Sequence, residues 1–271
     1  METDLEDDVR QFLQANGLRL NTDLGQHFLI DREVLEAILD AAEIESEDRI
    51  VEIGPGIGVL TRELLMDAAS VTAIELDPRL PPLLERFIGP EHLGKLTIVK
   101  GNALSTPFPD TPYKIVANIP YHITSPLLRH AFLESAVRPT TMTLLIQREV
   151  AEKICDTESA GMLTILVALF GEPSIIQIVG KNAFLPPPEV ESAVLHIKSH
   201  PTPLADAETI DAIFRLTKLG FGQKRKMLRN TLGSLPDGME LLKTHSIDPT
   251  RRPETLTIEE WIALAKARRG A

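Results

Sequence analysis

Two short runs of residues carry groups that can do chemistry together. Glu52-Ile-Gly-Pro-Gly-Ile-Gly58 follows an apolar run, and Asn118-Ile-Pro-Tyr121 follows another. Glycines at the end of a strand let backbone approach a ligand with no Cβ in the way. The spacing Gly54-x-Gly56-x-Gly58 is tighter than the dinucleotide fingerprint, whose third glycine comes one place later. Pro55 also removes one N–H donor. A nucleoside without a pyrophosphate fits such a turn better than a dinucleotide does.

The second run suits a planar exocyclic amine. The lone pair on such a nitrogen is delocalised into its ring, so a site that alkylates it must aim it and favour a tetrahedral geometry. The Asn118 side-chain oxygen and the Ile119 carbonyl are two acceptors for the amine hydrogens. Pro120 fixes the local chain. Tyr121 offers a face for a base to stack on, worth roughly 1–3 kcal/mol. Phe184, opening Phe184-Leu-Pro-Pro-Pro188, is the candidate for the opposite face. A base held between Tyr121 and Phe184 has left its helical stack or comes from a single-stranded loop. Beside the glycine turn, these groups imply methyl transfer from S-adenosyl-L-methionine to a base nitrogen, driven by positioning more than by acid–base chemistry.

Two polar residues extend the nucleoside site. Glu75, in Ala73-Ile-Glu-Leu-Asp77, lies about 20 residues past the turn, where a ribose ligand belongs. Its carboxylate can accept both ribose hydroxyls in charge-assisted hydrogen bonds; Asp77 is the less favoured neighbour. Asn102, in Gly101-Asn-Ala-Leu104, can pair with an adenine edge because its amide both donates and accepts. It can equally close a local Asx turn. The seven histidines are scattered and none has ligand spacing with the lone Cys155, so no metal is expected. His122 beside the reactive run reads first as a structural histidine.

These groups need a frame, and the apolar pattern supplies one. Leu5, Val9, Phe12 and Leu13 have helical spacing within residues 3–17, and Asp31 is a natural N-cap for a second helix. Strands over 49–53, 70–75, 96–99, 114–117 and 141–146 alternate with helices over 59–68 and 79–87. Such alternation implies a mainly parallel sheet covered on both faces, with ligands at the carboxyl ends of the strands. Strands over 174–179 and 192–198, with no long helix between them, make an antiparallel close. The expected fold class is therefore α/β, Rossmann-like, with a mainly parallel seven-stranded sheet. Ser199-His-Pro-Thr-Pro203 reads as a linker. Beyond it, helices over 206–219, 224–231 and 257–266 form a small all-α domain. The domains are 1–199, with an N-terminal helical extension, and 200–271.

Composition narrows the setting. The chain is 43% hydrophobic and 25% charged, which is ordinary for a globular protein. One cysteine allows no internal disulfide and fits a reducing, cytoplasmic location. The acidic N-terminus lacks the charged-then-apolar pattern of a signal segment. Met162–Phe170, the longest apolar stretch, is far short of the roughly 20 residues that span a bilayer, so no membrane partner is expected. The net charge of -11 argues against indiscriminate nucleic-acid binding. Screening confines exposed charges to about 10 Å, however, so their distribution decides. Residues 212–230 hold no acid but include Arg215, Lys218, Lys224, Arg225, Lys226 and Arg229. On a helix over 224–231, Lys224, Leu228 and Thr231 would face one way, and Arg225 and Arg229 would form a second stripe. Lys224, Arg225, Lys226 and Arg229 can then follow an RNA phosphate backbone.

Taken in order, the motifs resemble the small-subunit ribosomal RNA adenine dimethyltransferases, the KsgA family. The likeness starts at Leu24-Gly-Gln-His-Phe-Leu29 and runs through Glu52–Gly58, Glu75, Gly101–Leu104, Asn118–Tyr121, Phe184–Val190 and Phe221–Asn230. It ends at Arg252-Pro-Glu-Thr-Leu256. The resemblance implies a class I methyltransferase domain. It also implies that S-adenosyl-L-methionine dimethylates N6 of two adjacent adenosines in the 3′-terminal hairpin loop of small-subunit (16S) rRNA, linked to biogenesis of that subunit. Carried over by position, His27, Leu29, Gly54, Gly56, Glu75, Asn102 and Asn118 line the cofactor. Asn118, Ile119, Pro120, Tyr121 and Phe184 hold the adenine. The family usually has Asn where His27 stands and Asp where Asn102 stands. Losing that charge is expected to weaken cofactor binding by about 1 kcal/mol. The small ribosomal subunit is the expected partner of a monomeric enzyme. One rival is the related 23S rRNA methyltransferase of macrolide resistance, against which the 221–230 segment and the long C-terminal domain weigh. Another is an assembly factor that binds rRNA without catalysis, against which the intact Asn118–Tyr121 run weighs.

Overall fold

A computed structural model describes residues 4–18, 20, 25–223 and 225–269. They form two compact units, the described residues up to 151 with 174–199, and residues 152–173 with the described residues from 200 onward.

In the first unit, α1 (Leu5–Ala15) begins at Asp4, whose side chain accepts the Glu6 N–H, and buries Leu5, Val9 and Leu13 along one stripe. β1 is only Phe28–Leu29. α2 (Arg32–Ala42) is capped by Asp31, which accepts the Val34 N–H at 3.2 Å. There follow β2 (Arg49–Ile53), α3 (Val59–Asp67), β3 (Ser70–Glu75), α4 (Pro81–Ile88), β4 (Leu96–Lys100) and β5 (Lys114–Asn118). Next come α5 (Thr124–Arg129), β6 (Thr141–Gln147) and α6 (Arg148–Cys155). After α7 (Met162–Phe170) come β7 (Gly171–Val179), β8 (Phe184–Leu185) and β9 (Ser192–Ser199).

Seven strands form one sheet in the order β4-β3-β2-β5-β6-β9-β7. β2 pairs in parallel with β3 on one side and β5 on the other, β3 with β4 and β5 with β6 are parallel, and β6 with β9 is antiparallel. The inner strands are near-continuous apolar runs: Ile50, Val51 and Ile53, then Ile115, Val116 and Ala117, then Leu144, Leu145 and Ile146 are all buried. Sheets covered on both faces require that pattern. The chain winds outward from β2 to β4, then returns to lay β5 against the other side of β2. Such a switch point leaves a crevice at the carboxyl ends of the strands.

β1 and β8 make a second, two-stranded sheet, with Phe28 opposite Leu185 and Leu29 opposite Phe184. This pairing clips the segment before α2 to the proline-rich loop after β8.

The second unit is mainly helical. It contains α7, α8 (Ala207–Phe221), α9 (Gly238–Thr244) and α10 (Ile258–Arg269). Asp206 caps α8 by accepting the Thr209 N–H at 2.8 Å. Gly220 lets α8 meet Trp261 closely, since a Cβ there would lie 3.2 Å from both Pro253 and the indole. The segment 152–173 clusters with this unit, so the chain passes between units at three points, a discontinuity that a single linear boundary at 199/200 lacks.

Of the helix expected over 224–231, the described residues 225–231 form none. The α8 C-cap is Gly222, Arg225 has φ 124, and only a 3₁₀ turn, Leu228–Asn230, follows. The Leu228 N–H donates to the Arg251 carbonyl at 2.7 Å and the Arg229 N–H to the Pro249 carbonyl at 2.9 Å. A neighbouring segment thus takes the donors that a helical ladder would need. Lys224 lies outside the described residues, as does Leu24.

Candidate active site

A cavity opens at the ends of β2, β3 and β5. Gly54, Gly56, Glu75, Asn102 and Asn118 line it, together with His27 and Leu29 from the clipped segment. The turn after β2 needs left-handed backbone: φ is 67 at Gly54 and 64 at Gly56. Gly56 is also sterically obliged to lack a side chain, because a Cβ would sit 2.6 Å from a Phe28 ring carbon.

Two acids at the end of β3 have different fates. Glu75, 6% exposed, accepts the Gly56 N–H at 3.2 Å on one oxygen and the Asp77 N–H at 2.8 Å on the other. A carboxylate has about four acceptor positions, so capacity remains for a ligand. Burial raises its pKa, and those backbone N–H groups offset part of the rise. Asp77, 4% exposed, is gripped by the Arg79 guanidinium and by Gln26 Nε2 at 2.8 Å. Arg79 above all holds the Asp77 carboxyl down at about 2. Asp77 therefore fastens the 25–30 segment to the sheet, while Glu75 keeps lone pairs facing the cavity.

Glu52 is a further member of the site, and its motif position alone did not single it out. It is 1% exposed and lines the cavity, and its Oε2 has no hydrogen-bond partner among the described residues. Desolvation pushes its pKa up to about 8, the nearby Glu75 adds to the rise, and Thr61 opposes it. An orphaned carboxyl oxygen lining the cavity suits a ligand with a cationic end or a hydrogen-bond donor. The signal for it was an acid within an otherwise largely apolar strand, two residues before the first glycine of the turn.

Asn102 builds the Asx-type turn: its Oδ1 accepts the Leu104 N–H at 3.0 Å. One lone pair of that oxygen is used, and its amide N–H groups remain to donate.

Asn118 stands at the tip of β5, where this cavity adjoins another. The second cavity is lined by Ile119, Tyr121 and Gln147 and by Pro186 to Pro188, and both cavities share Gly25, His27, Asn118 and His122. His122, read from sequence as structural, is exposed there. Asn118 Nδ2 donates to the His27 main-chain carbonyl at 3.1 Å, which leaves Oδ1 as the atom offered to a ligand. Pro120 is braced by the same segment, with Gly25 so close that a Cβ on it would lie 2.9 Å from the proline Cβ. The Tyr121 hydroxyl is 2.6 Å from Ser192 Oγ. Its ring lies 12° from parallel with the His27 ring, at a centroid distance of 6.3 Å. His27 Nδ1 is 2.7 Å from the Pro186 carbonyl oxygen.

Phe184 departs from expectation. It is 1% exposed, lies opposite Leu29 in the small sheet and packs in the main core, and it lines neither cavity. Strand pairing draws the ring inward, so it presents no face to a base. The aromatic ring parallel to Tyr121 is His27.

In the second unit, Arg225, Lys226 and Arg229 are exposed, as are Arg215 and Lys218 on α8. Among the described residues no group of three or more His, Cys, Asp or Glu side chains could hold a metal ion, and no helix is long and apolar enough to cross a membrane.

A sheet with this strand order, a glycine turn after its first inner strand and an acid ending the next defines a class I methyltransferase. A family model described as ribosomal RNA adenine dimethylase matches residues 17–268. Among similar proteins, the ribosomal RNA small subunit methyltransferase A of Dehalococcoides mccartyi (strain CBDB1) is 41% identical over 262 residues, covering 93% of this chain and 90% of that protein. Its namesake from Listeria monocytogenes serotype 4b is 37% identical over 276 residues, covering 94% of this chain and 92% of that one. Among solved structures, a dimethyladenosine transferase from Plasmodium falciparum superposes with a TM-score of 0.80 at 26% identity, covering 90% of this chain and 98% of its own. The 23S rRNA methyltransferase ErmE gives 0.74 at 26% identity, with 88% and 98% covered. The chain belongs to the ribosomal RNA adenine dimethylase family.

Proposed function

We propose that this enzyme transfers methyl groups from S-adenosyl-L-methionine to N6 of two adjacent adenosines in the 3′-terminal hairpin loop of small-subunit (16S) rRNA, dimethylating each. The observation that carries the reading is the place of Asn118, at the junction of two cavities with its amide nitrogen already bound and its side-chain oxygen without a partner among the described residues. The greater identity to relatives named for the small subunit than to the 23S enzyme supports small-subunit RNA as substrate.

The bound cofactor supplies an electrophilic methyl group. The chain's own residues do the rest by positioning. Glu75 uses its remaining lone pairs on ribose hydroxyls, and Gly54 and Gly56 let the backbone approach the nucleoside. Leu29 and His27 close the cavity from the N-terminal side, and Asn102 offers amide N–H donors to the adenine ring. In the adjoining cavity Tyr121 supplies a face for the target base. Asn118 Oδ1 and the Ile119 carbonyl accept the amine hydrogens and turn the nitrogen lone pair out of conjugation. The same oxygens stabilise the positive charge that the nitrogen carries until a proton leaves, an advantage that grows as the transition state forms.

The second unit is the RNA-binding domain in this reading, with Arg225, Lys226 and Arg229 on phosphates. The partner is the small ribosomal subunit, and a monomer acts in the cytoplasm. The test supplies labelled cofactor to small and large ribosomal subunits lacking their adenine methyl groups. Label in N6,N6-dimethyladenosine of the small subunit alone is expected. Label only in the large subunit, or binding to small subunits without label, would contradict the proposal.

A further inference from the structure

One buried hydroxyl beside the base cavity has no part in the chemistry just described. Ser192 is 0% exposed and lines neither cavity, yet its Oγ is 2.6 Å from the Tyr121 hydroxyl. Ser192 opens β9 and is the register partner of Gln147 at the end of β6. The antiparallel ladder between those strands runs unbroken from Thr141 opposite Lys198 to Gln147 opposite Ser192. Its hydroxyl is therefore mounted on the central sheet.

Tyr121 has no such mount of its own. It starts a short 3₁₀ turn after Pro120, and its ring is only half-buried. A tyrosine in such a turn has staggered choices at χ1 and a broad, two-fold χ2. A bond at the far end of the ring removes most of that freedom. The ring plane lies 12° from that of the His27 ring. His27 is tied in turn to the carbonyl of Pro186 at 2.7 Å, so the loop between β8 and β9 holds one ring near each of its ends. Burial raises the pKa of the Tyr121 phenol, which keeps it protonated and able to donate to Ser192.

We propose that Ser192 is a positioning residue, which fixes the plane of Tyr121 so that a base stacked on it brings its amine to Asn118 Oδ1. This rests on the reading of Tyr121 as the stacking face. Misplacement of a reacting group by about 1 Å can cost on the order of a hundredfold in rate. Loss of one tethering bond, which tilts the ring without removing it, is expected to cost about tenfold on that scale.

Single-turnover methylation of undermethylated small subunits, with RNA and cofactor affinities and thermal midpoints measured alongside, decides the matter. Ser192→Ala and Tyr121→Phe should each slow methylation about tenfold while both affinities stay within about twofold. The double variant should be no slower than either single one, because both remove the same bond. Tyr121→Ala should be slower still. Additive losses in the double variant, or a wild-type rate in Ser192→Ala, would overturn the positioning role. If Ser192→Ala fails to fold, Tyr121→Phe reads the same bond from its half-buried end, and a wild-type rate there overturns the proposal equally. A wild-type rate in Tyr121→Ala would instead remove Tyr121 as the stacking face.

Discussion

The side-chain amide of Asn118 is bonded to the main-chain carbonyl of His27, 3.1 Å away. The tip of β5 and the segment before α2 therefore orient one another. Gln26, one residue earlier, bonds Asp77 beyond β3 at 2.8 Å, and Phe28, one residue later, pairs with Leu185. A short stretch of chain thus closes the cavity at the ends of β2, β3 and β5, holds the Asn118 amide and meets the proline loop.

Gly56→Ala should abolish measurable cofactor binding. Its Cβ would sit 2.6 Å from the Phe28 ring at a residue with φ 64, so both the turn and the closing segment must move. A non-glycine residue held there costs about 1–3 kcal/mol, read as a lower thermal midpoint. Titration calorimetry with cofactor checks the binding claim, and unchanged affinity would contradict it.

The Glu52 carboxyl makes stability depend on pH. Its folded pKa is raised from 4.5 to about 8. Below 4.5 the folded and unfolded chains both hold the proton, and the group exacts no penalty. Between 4.5 and about 8 the unfolded chain ionises while the folded one stays protonated, so stability falls by roughly 1.4 kcal/mol per pH unit. Glu52→Gln should remove that part of the slope, gaining on the wild type between pH 5 and pH 8. Denaturant unfolding at the two pH values reads the difference. Parallel pH dependences would mean that Glu52 is ionised in the folded protein.

Asn102→Asp keeps the turn, since an aspartate oxygen can also accept the Leu104 N–H at 3.0 Å. It adds a charge toward the ligand, and cofactor affinity should rise by about 1 kcal/mol. Unchanged affinity by calorimetry would take Asn102 out of the cofactor site.

Changing Lys226 and Arg229 together to Ala should weaken RNA binding and flatten its salt dependence, by roughly one unit of slope for each phosphate that is no longer neutralised. Both side chains are exposed, and neither makes an ion pair among the described residues, so the fold should be little affected. An unchanged slope would clear this segment of a role on RNA.

Much of the frame was legible because its signals are local. The strands around Ile50, Val71 and Ile115 are apolar runs bounded by turn residues, and Asp31 and Asp206 cap the helices they precede. The glycine turn and Asn118 were legible for the same reason. Tertiary competition hid the rest. Two-residue strands have no period, so the pairing of Leu29 with Phe184 leaves no mark in sequence. Without it, a phenylalanine before three prolines reads as a free platform rather than a core residue. Residues 224–231 have helical spacing in the sequence, but the carbonyls of Arg251 and Pro249 take the N–H groups of Leu228 and Arg229. The isolation of Glu52 depends on what covers it, which only the folded chain reveals.

The most direct trial of the central claim is Asn118→Ala, assayed for label transfer to undermethylated small subunits and for RNA affinity on the same sample. Loss of positioned acceptors should slow methylation by about 100-fold or more, with RNA affinity near that of the wild type. Methylation at the wild-type rate would show that the amine is oriented by something other than the β5 tip, and loss of RNA binding would show that Asn118 serves the fold instead.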